Sequence, residues 1–341
     1  MFLDSNTMNN LKYSIIIPVF NRPDEVDELL QSLVQSTFET AFEVIIVEDG
    51  STLTCESVVD KFKNWLDISY YFKANSGPGA SRNYGMERAK GNYFIIFDSD
   101  CIIPKQYLAE VDAELRGNFC HCFGGPDRAL ESFSDVQKAI NFAMTSFLTT
   151  GGIRGGSEKL NKFQPRSFNM GLSKEAFEIS KGFGRIHPGE DPDLTMRLWN
   201  LGMDTRLFPN AYVYHKRRID WSKFSMQVSK FGMVRPILNS WFPKYNKLTY
   251  FFPTVFILGL YLSLLLVLFG INWVIYLYLF YFLLILLFAT AQTKSIKIGM
   301  YSVLAVFKQM HGYGLGFLRS YWNIIILKKN PEATFPKLFF N

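Results

Sequence analysis

Apolar residues fall into two regimes along this chain. Up to about residue 220 they come as short runs separated by polar stretches of helix length. Tyr13–Pro18 (YSIIIP), Phe42–Val47, Ile68–Phe72 and Tyr93–Phe97 read as strands. Pro23–Val34, Glu56–Asn64 and Gly79–Arg88 read as the helices between them, the first with Asn21 before it as a cap and acids in its first turn. Strands that are apolar throughout are buried on both faces. The alternation therefore predicts an α/β fold with a largely parallel sheet covered by helices on both sides. In such sheets ligands bind at the carboxyl ends of the strands.

The second regime is different in kind. No charged residue occurs between Lys247 and Lys294, a gap about twice the ~20 residues that one spanning helix needs. Gly270-Ile271-Asn272 supplies a turn signal in its middle. The pattern predicts a hairpin of two spanning helices, Tyr250–Phe269 and Trp273–Ala289, with Tyr250, Trp273 and Tyr276 near the interfaces. Lysines and arginines flank both outer ends and none lies in the inner turn, so the positive-inside rule places both ends in the cytoplasm. A buried helical pair in a soluble protein is the alternative, and an uncharged run of this length argues against it. Trp221–Pro243 and Met300–Leu327 mix aromatic residues with Lys and Arg and read as helices on the membrane surface. The expected division is 1–220 as the α/β domain, 221–247 as an amphipathic interfacial segment, 248–292 as the two spanning helices and 293–341 as a basic amphipathic tail.

Charge supports this division. The net charge of +6 suggests nucleic acid only when read as one number. From Trp221 onward there are twelve Lys and Arg against one acid, Glu332, which leaves the first 220 residues at −5. A basic tail rich in Phe, Leu and Trp points to membrane and away from nucleic acid. With 48% hydrophobic and 19% charged residues, a disordered chain is excluded. Cys55, Cys101, Cys120 and Cys122 lack zinc-finger spacing and are expected as reduced thiols in a cytoplasmic domain. The first dozen residues are polar and show no apolar signal-peptide core.

Candidate chemistry sits where the sheet rule directs attention. The predicted strands end in Pro18-Val19-Phe20-Asn21-Arg22, Glu48-Asp49-Gly50-Ser51 and Asp98-Ser99-Asp100. Each alone could be a turn. Together they deliver acids to one rim, and two carboxylates there suit a hard divalent cation that also takes phosphate oxygens. In Asn75–Gly85 (NSGPGASRNYG) the glycines let backbone approach a ligand, and Arg82 can pair with a diphosphate. The glycine-rich stretch Gly151–Gly156 reads as a loop over the site. Gly312, Gly314 and Gly316 follow no strand and read as helix packing. No Gly-x-Gly-x-x-Gly follows the first strand, which disfavours a dinucleotide-dependent dehydrogenase.

These motifs continue with Asn169, Gly182-Phe183-Gly184, Gly189-Glu190-Asp191-Pro192-Asp193-Leu194, Arg197 and Ala211-Tyr212-Val213-Tyr214-His215. Over residues 12–215 the chain resembles the family 2 glycosyltransferases. The resemblance implies the glycosyltransferase A fold, a Rossmann-like, mostly parallel sheet with flanking helices. It also implies an inverting reaction, a nucleotide-sugar donor, and Mg²⁺ or Mn²⁺. In donor binding it implicates Pro18, Phe20, Asn21, Asp49 on the base, Arg82 on the diphosphate or ribose, Asp98, Ser99 and Asp100. It gives Asp98 and Asp100 to the metal, with His215 as a further metal or diphosphate contact. Asp191 matches the family's catalytic base, with Glu190 beside it. Glu48 departs from the family pattern, where Asp is commoner.

The physics suits these roles. The leaving nucleoside diphosphate gains negative charge, which a metal and an Arg stabilise, while a carboxylate takes the acceptor proton. Asp191 opens a predicted helix, Pro192–Asn200, whose N-terminus is expected to keep the carboxylate ionised. His187 and Pro188 precede it and are expected to shape the acceptor side; His121 reads as structural. The expected function is sugar transfer to a hydroxyl of a lipid-linked glycan acceptor in surface polysaccharide synthesis, on the cytoplasmic face of a membrane. A polyprenyl-phosphate sugar transferase is the nearest alternative, but its ionised acceptor needs no base such as Asp191. A catalytically silent sugar-nucleotide-binding membrane protein is another, disfavoured by the intact Asp98, Asp100 and Asp191. A processive synthase is disfavoured because no Gln-x-x-Arg-Trp motif is present.

Overall fold

A computed structural model describes residues 10–128, 133–150, 163–216 and 220–340. The chain opens with β1 (Tyr13–Val19), α1 (Pro23–Val34), β2 (Phe42–Asp49), α2 (Glu56–Phe62), β3 (Asp67–Lys73), α3 (Pro78–Arg88), β4 (Tyr93–Phe97) and β5 (Cys101–Ile102). It continues with α4 (Tyr107–Gly117), β6 (Cys122–Gly124), β7 (Asp127–Arg128), α5 (Asp135–Thr145), α6 (Phe147–Thr150), β8 (Asn169–Ser173), α7 (Lys174–Ser180), α8 (Glu190–Asn200), β9 (Thr205–Leu207) and β10 (Val213–His215). Then come α9 (Trp221–Trp241), α10 (Phe252–Val267), α11 (Trp273–Thr293), α12 (Ile296–Tyr321) and α13 (Pro331–Thr334). Two compact units result. One comprises Met1–Arg128, Glu158–His215 and Phe340–Asn341; the other comprises Ala129–Ser157 and Lys216–Phe339. The described helices α5 and α6, placed by the sequence pattern with the α/β domain, belong to the second unit.

In the first unit a seven-stranded sheet runs in the order β3-β2-β1-β4-β8-β6-β9. β3, β2, β1 and β4 are parallel, and β8 runs antiparallel to both β4 and β6. Alternation along the central strands builds two cores at once. Ile15, Ile17, Val44, Ile46, Tyr93, Ile95 and Phe97 face one layer of helices. Ile16, Ile45, Val47, Phe94 and Ile96 face the other. This is the two-sided burial that continuous apolar strands require. Helix α3 lies very close to the sheet because residue 85 is glycine: a β-carbon there would stand 2.7 Å from Ile16 Cγ2. That close approach carries Arg82, one turn earlier on α3, toward the strand ends. A smaller sheet, β5-β10-β7, pairs His215 with Cys101 and so sets His215 next to Asp100. All four cysteines are free and buried.

The second unit is helical. Leu248–Val267 and Trp273–Thr293 are long and apolar enough to cross a membrane, with mean hydropathies of 2.1 and 2.4. Only 28% and 11% of these stretches are buried. Leu262, Leu265, Leu277, Phe280 and Leu287 point outward, which a buried core pair in a soluble protein would not do. Helix α12 packs against α9, α10 and α11. Its glycines permit this: β-carbons at Gly312 and Gly316 would collide with Val228 and Ser229 of α9, and one at Gly314 with Pro253 of α10. The segment expected to lie on a membrane surface is therefore, through α12, a packed member of this unit. Gly151–Gly156 lies outside the described residues.

Candidate active site

The strand ends of the first unit converge as the sequence pattern predicts, but several side chains do something other than expected. Asn21 does not cap α1. The cap position is Arg22, and no side chain bonds there. Asn21 instead adopts a left-handed backbone (φ 55°), and its Oδ1 accepts from the backbone N–H groups of Thr52 and Leu53 at 2.8 and 2.9 Å. Its own N–H donates to Ser51 Oγ. Asn21 thus fastens the loop after β1 to the loop after β2. Glu48 is fully buried and accepts from Ser51 Oγ, Cys55 N–H and Tyr70 O–H, so it shapes the same loop from within.

Asp49, at the end of β2, is buried against Lys73 Nζ and accepts from the Ser76 and Gly77 N–H groups at 2.9 Å. It organises the glycine-rich loop that opens α3. Phe20 is half exposed at the end of β1, next to a half-buried Pro18, and offers an apolar face at this rim.

Arg82 is the centre of the acidic side. Its side chain is 3% exposed, with Nη2 2.7 Å from Asp98 Oδ1 and Nη1 3.1 Å from Glu190 Oε1. Residues from α3, from the first turn of α8 and from the end of β4 are therefore joined through one guanidinium. Burial opposes its charge, but Asp98 and Glu190 outweigh that and keep it protonated.

The second cluster surrounds Asp100. Its Oδ1 lies 3.1 Å from His215 Nε2, and its Oδ2 accepts from Arg22 Nη1 at 3.3 Å. Phe168 stacks on the His215 ring at 4.6 Å. Asp100, Cys101 and His215 bring potential metal-ligand atoms within 4.8 Å of one another. The carboxylate and imidazole suit Mg²⁺ or Mn²⁺. Cys101 does not suit either ion: burial first, then Asp100 and Asp98, push its thiol well up, and its Sγ donates to the Phe168 carbonyl. Asp98, expected beside Asp100 on the metal, stands outside this group and is paired with Arg82. Ser99 is buried in the turn between the two acids.

Adjacent carboxylates on α8 have opposite fates. Burial opposes ionisation of Glu190, but His187 at 3.1 Å and Arg82 overcome it and hold the carboxyl well below its usual range. Asp191 is pushed up to about 6, first by burial and then by the charge of Glu190. The helix N-terminus expected to favour the ionised form is there, since α8 begins at Glu190, but burial and the neighbouring charge outweigh it, so Asp191 ionises only above about pH 6. Asp191 Oδ2 accepts from Ser167 N–H at 3.3 Å, while Oδ1 is buried with no hydrogen-bond partner among the described residues. A carboxylate titrating near 6 with an unsatisfied oxygen is chemically suited to take a proton.

A family model described as "Glycosyl transferase family 2" matches residues 14–183, and a second, "Glycosyl transferase family group 2", matches residues 164–291. The chain belongs to the family 2 glycosyltransferases. Among its relatives, the poly(ribitol-phosphate) beta-N-acetylglucosaminyltransferase TarS of Staphylococcus aureus is 37% identical over 106 residues, 30% of this chain and 18% of TarS. The poly(ribitol-phosphate) beta-glucosyltransferase of Bacillus spizizenii is 35% identical over 102 residues, 29% of this chain and 16% of that protein. The matches thus span less than a fifth of either relative's length. Among solved structures, a mannosyltransferase from Pyrobaculum calidifontis superposes with a TM-score of 0.58 at 14% identity, covering 92% of this chain and 88% of the other. That likeness establishes the glycosyltransferase A fold.

The sequence pattern assigns no role to Arg22, which braces Asp100, and does not show the link between His187 and Glu190. Arg22 closes the Pro18–Arg22 strand-end motif and His187 lies three residues before Glu190, so both signals are present in the chain. Their partners emerge only from the folded arrangement. The family 2 motifs Asn169 and Arg197 are framework in this structure. Asn169 accepts from Tyr107 O–H and donates to the Ala211 carbonyl, and Arg197 holds the Gly182 carbonyl and Asp193.

Proposed function

We propose that this family 2 member is an inverting, metal-dependent glycosyltransferase that moves a sugar from a nucleotide-sugar donor to a hydroxyl of a lipid-linked glycan acceptor. The observation that carries this reading is Asp191: a carboxylate poised near 6, with a buried unpartnered oxygen, in the same charge network as Arg82 and Asp98. On this reading Asp191 accepts the proton of the attacking hydroxyl. Glu190 stays ionised and is a positioning group for Arg82 and His187, without serving as a base.

Phe20, Pro18 and Asp49 would line the base end of the donor, and Arg82 with Asp98 its diphosphate and ribose. Asp100 and His215 would hold Mg²⁺ or Mn²⁺, which when bound stabilises the charge that develops on the leaving diphosphate. The relatives with poly(ribitol-phosphate) in their names act on a polymer rich in hydroxyls. That supports a hydroxyl acceptor over a lipid phosphate, as does the presence of a base. The outward-facing apolar helices support a membrane location, and the basic flanks support a cytoplasmic catalytic unit.

The test is nucleotide release by the full chain in mild detergent with Mn²⁺, across a panel of nucleotide sugars. One donor should be turned over, with loss of release in EDTA and in Asp100→Ala. A chain that neither binds nor turns over any nucleotide sugar would defeat the reading.

A further inference from the structure

Phe340 lies in the first unit, although the chain reaches it through the whole helical unit. Its backbone N–H donates to the Arg185 carbonyl at 3.0 Å, and Arg185 Nε donates back to the Phe340 carbonyl at 2.7 Å. Its ring tilts against His187, with centroids 5.6 Å apart. The other contact is Gly77: a β-carbon at that position would stand 2.3 Å from Phe340 Cδ2, so the ring rests directly on the loop backbone. Phe339, the residue before it, packs on Trp241 within the helical unit.

The two segments under this ring each carry part of the candidate site. Gly77 donates its N–H to Asp49 and opens the helix that bears Arg82. His187 holds Glu190, the neighbour of Asp191. We infer that Phe340 is a positioning residue for sugar transfer: a clasp that fixes the 184–189 loop against the start of α3 and thereby holds the Glu190–Asp191 pair in register with Arg82. The inference rests on the proposed transferase reading for its catalytic consequence, but the clasp itself is independent of it. Because Asp49 keeps Lys73 and Ser76 without the ring, the donor loop should survive loss of Phe340 better than the 184–189 loop does.

The experiment compares the wild-type full chain with Phe340→Ala and Phe340→Tyr, using two readouts. Amide hydrogen exchange of residues 184–189, measured without nucleotide, should rise at least tenfold in F340A and return to within threefold of wild type in F340Y. With whichever nucleotide sugar the wild type turns over, kcat should fall at least tenfold in F340A while the donor KM changes less than threefold, and F340Y should restore it. If F340A does not fold, Arg185→Ala loosens the same tie and is read by the same criteria. Unchanged exchange in the 184–189 loop overturns the clasp. Raised exchange with unchanged kcat overturns its catalytic role. Wild-type inactivity toward every donor would count against the transferase reading, and the exchange readout would still decide the clasp.

Discussion

Asp191→Asn is the substitution that separates a proton acceptor from a structural carboxylate. Folding lifts the Asp191 pKa from 3.8 to about 6, and each tenfold shift in a protonation equilibrium is worth about 1.36 kcal/mol. The ionised form therefore costs the native state about 3 kcal/mol at full effect, reduced to about 1–2 kcal/mol where water reaches the open side of the site. Asparagine avoids that cost and can still accept from Ser167 N–H. The sign follows from linkage. Below about pH 3 both folded and unfolded chains hold the proton and nothing is gained. As pH rises through 6 the wild type loses stability that the variant keeps. D191N should thus melt about 3–6 °C higher than wild type at pH 8, and at the same temperature near pH 3. Its turnover should fall by about 10²–10⁴ while nucleotide affinity stays within about twofold. Thermal melts at the two pH values, with nucleotide titration and a release assay, measure all three. A variant less stable than wild type at pH 8, or one that retains turnover, would refute the reasoning.

The remaining predictions use the same protein. kcat/KM should rise about tenfold per pH unit up to about pH 6 and then level off, because Asp191 must be ionised to act; a flat profile from pH 5 to 8 would remove it as the base. The inflection in kcat, which reports the donor complex, should lie above that in kcat/KM. Asp100→Ala should weaken Mn²⁺ binding at least tenfold by calorimetric titration; unchanged binding would place the ion elsewhere. Gly85→Ala should cost about 1–3 kcal/mol, read as a lower melting temperature, since its β-carbon would press on Ile16 and Val47.

Much of the fold was legible because the central strands are apolar on both faces. Ile15, Ile16 and Ile17 are each fully buried, and a run of that kind fits few settings other than a covered parallel sheet. The charge-free interval from Lys247 to Lys294 revealed the apolar hairpin for an equally simple reason. What stayed hidden depends on tertiary neighbours. Asn21 looks like a helix cap beside Pro23, yet its side chain serves a loop some thirty residues later. The short strand β8 inserts antiparallel between β4 and β6, and its five residues (NMGLS) do not announce that place. The acids at the strand ends could be seen to converge, but not how their charges would be shared. That sharing depends on Arg82, 108 residues from Glu190 in sequence.

Arg82 also links the two halves of the proposed reaction. It touches Asp98 and Glu190 directly, and its charge lowers the pKa of Asp191. Before transfer, therefore, the guanidinium makes Asp191 a weaker base than burial and Glu190 alone would. A nucleoside diphosphate that gains negative charge as its glycosidic bond breaks competes for that same guanidinium. On the proposed mechanism, the negative charge gathering on the diphosphate beside Arg82 would offset the guanidinium's pull on the carboxylates of α8, so the proton affinity of Asp191 would rise as the acceptor hydroxyl gives up its proton. No movement of Asp191 would be required, because the added negative charge acts on it through space while Arg82 stays paired with Asp98 and Glu190. Because the bound diphosphate is already negative before transfer, the same effect is why the inflection in kcat is expected above that in kcat/KM, and it gives a chemical reason for joining acids from α8 and from the end of β4 through a single arginine.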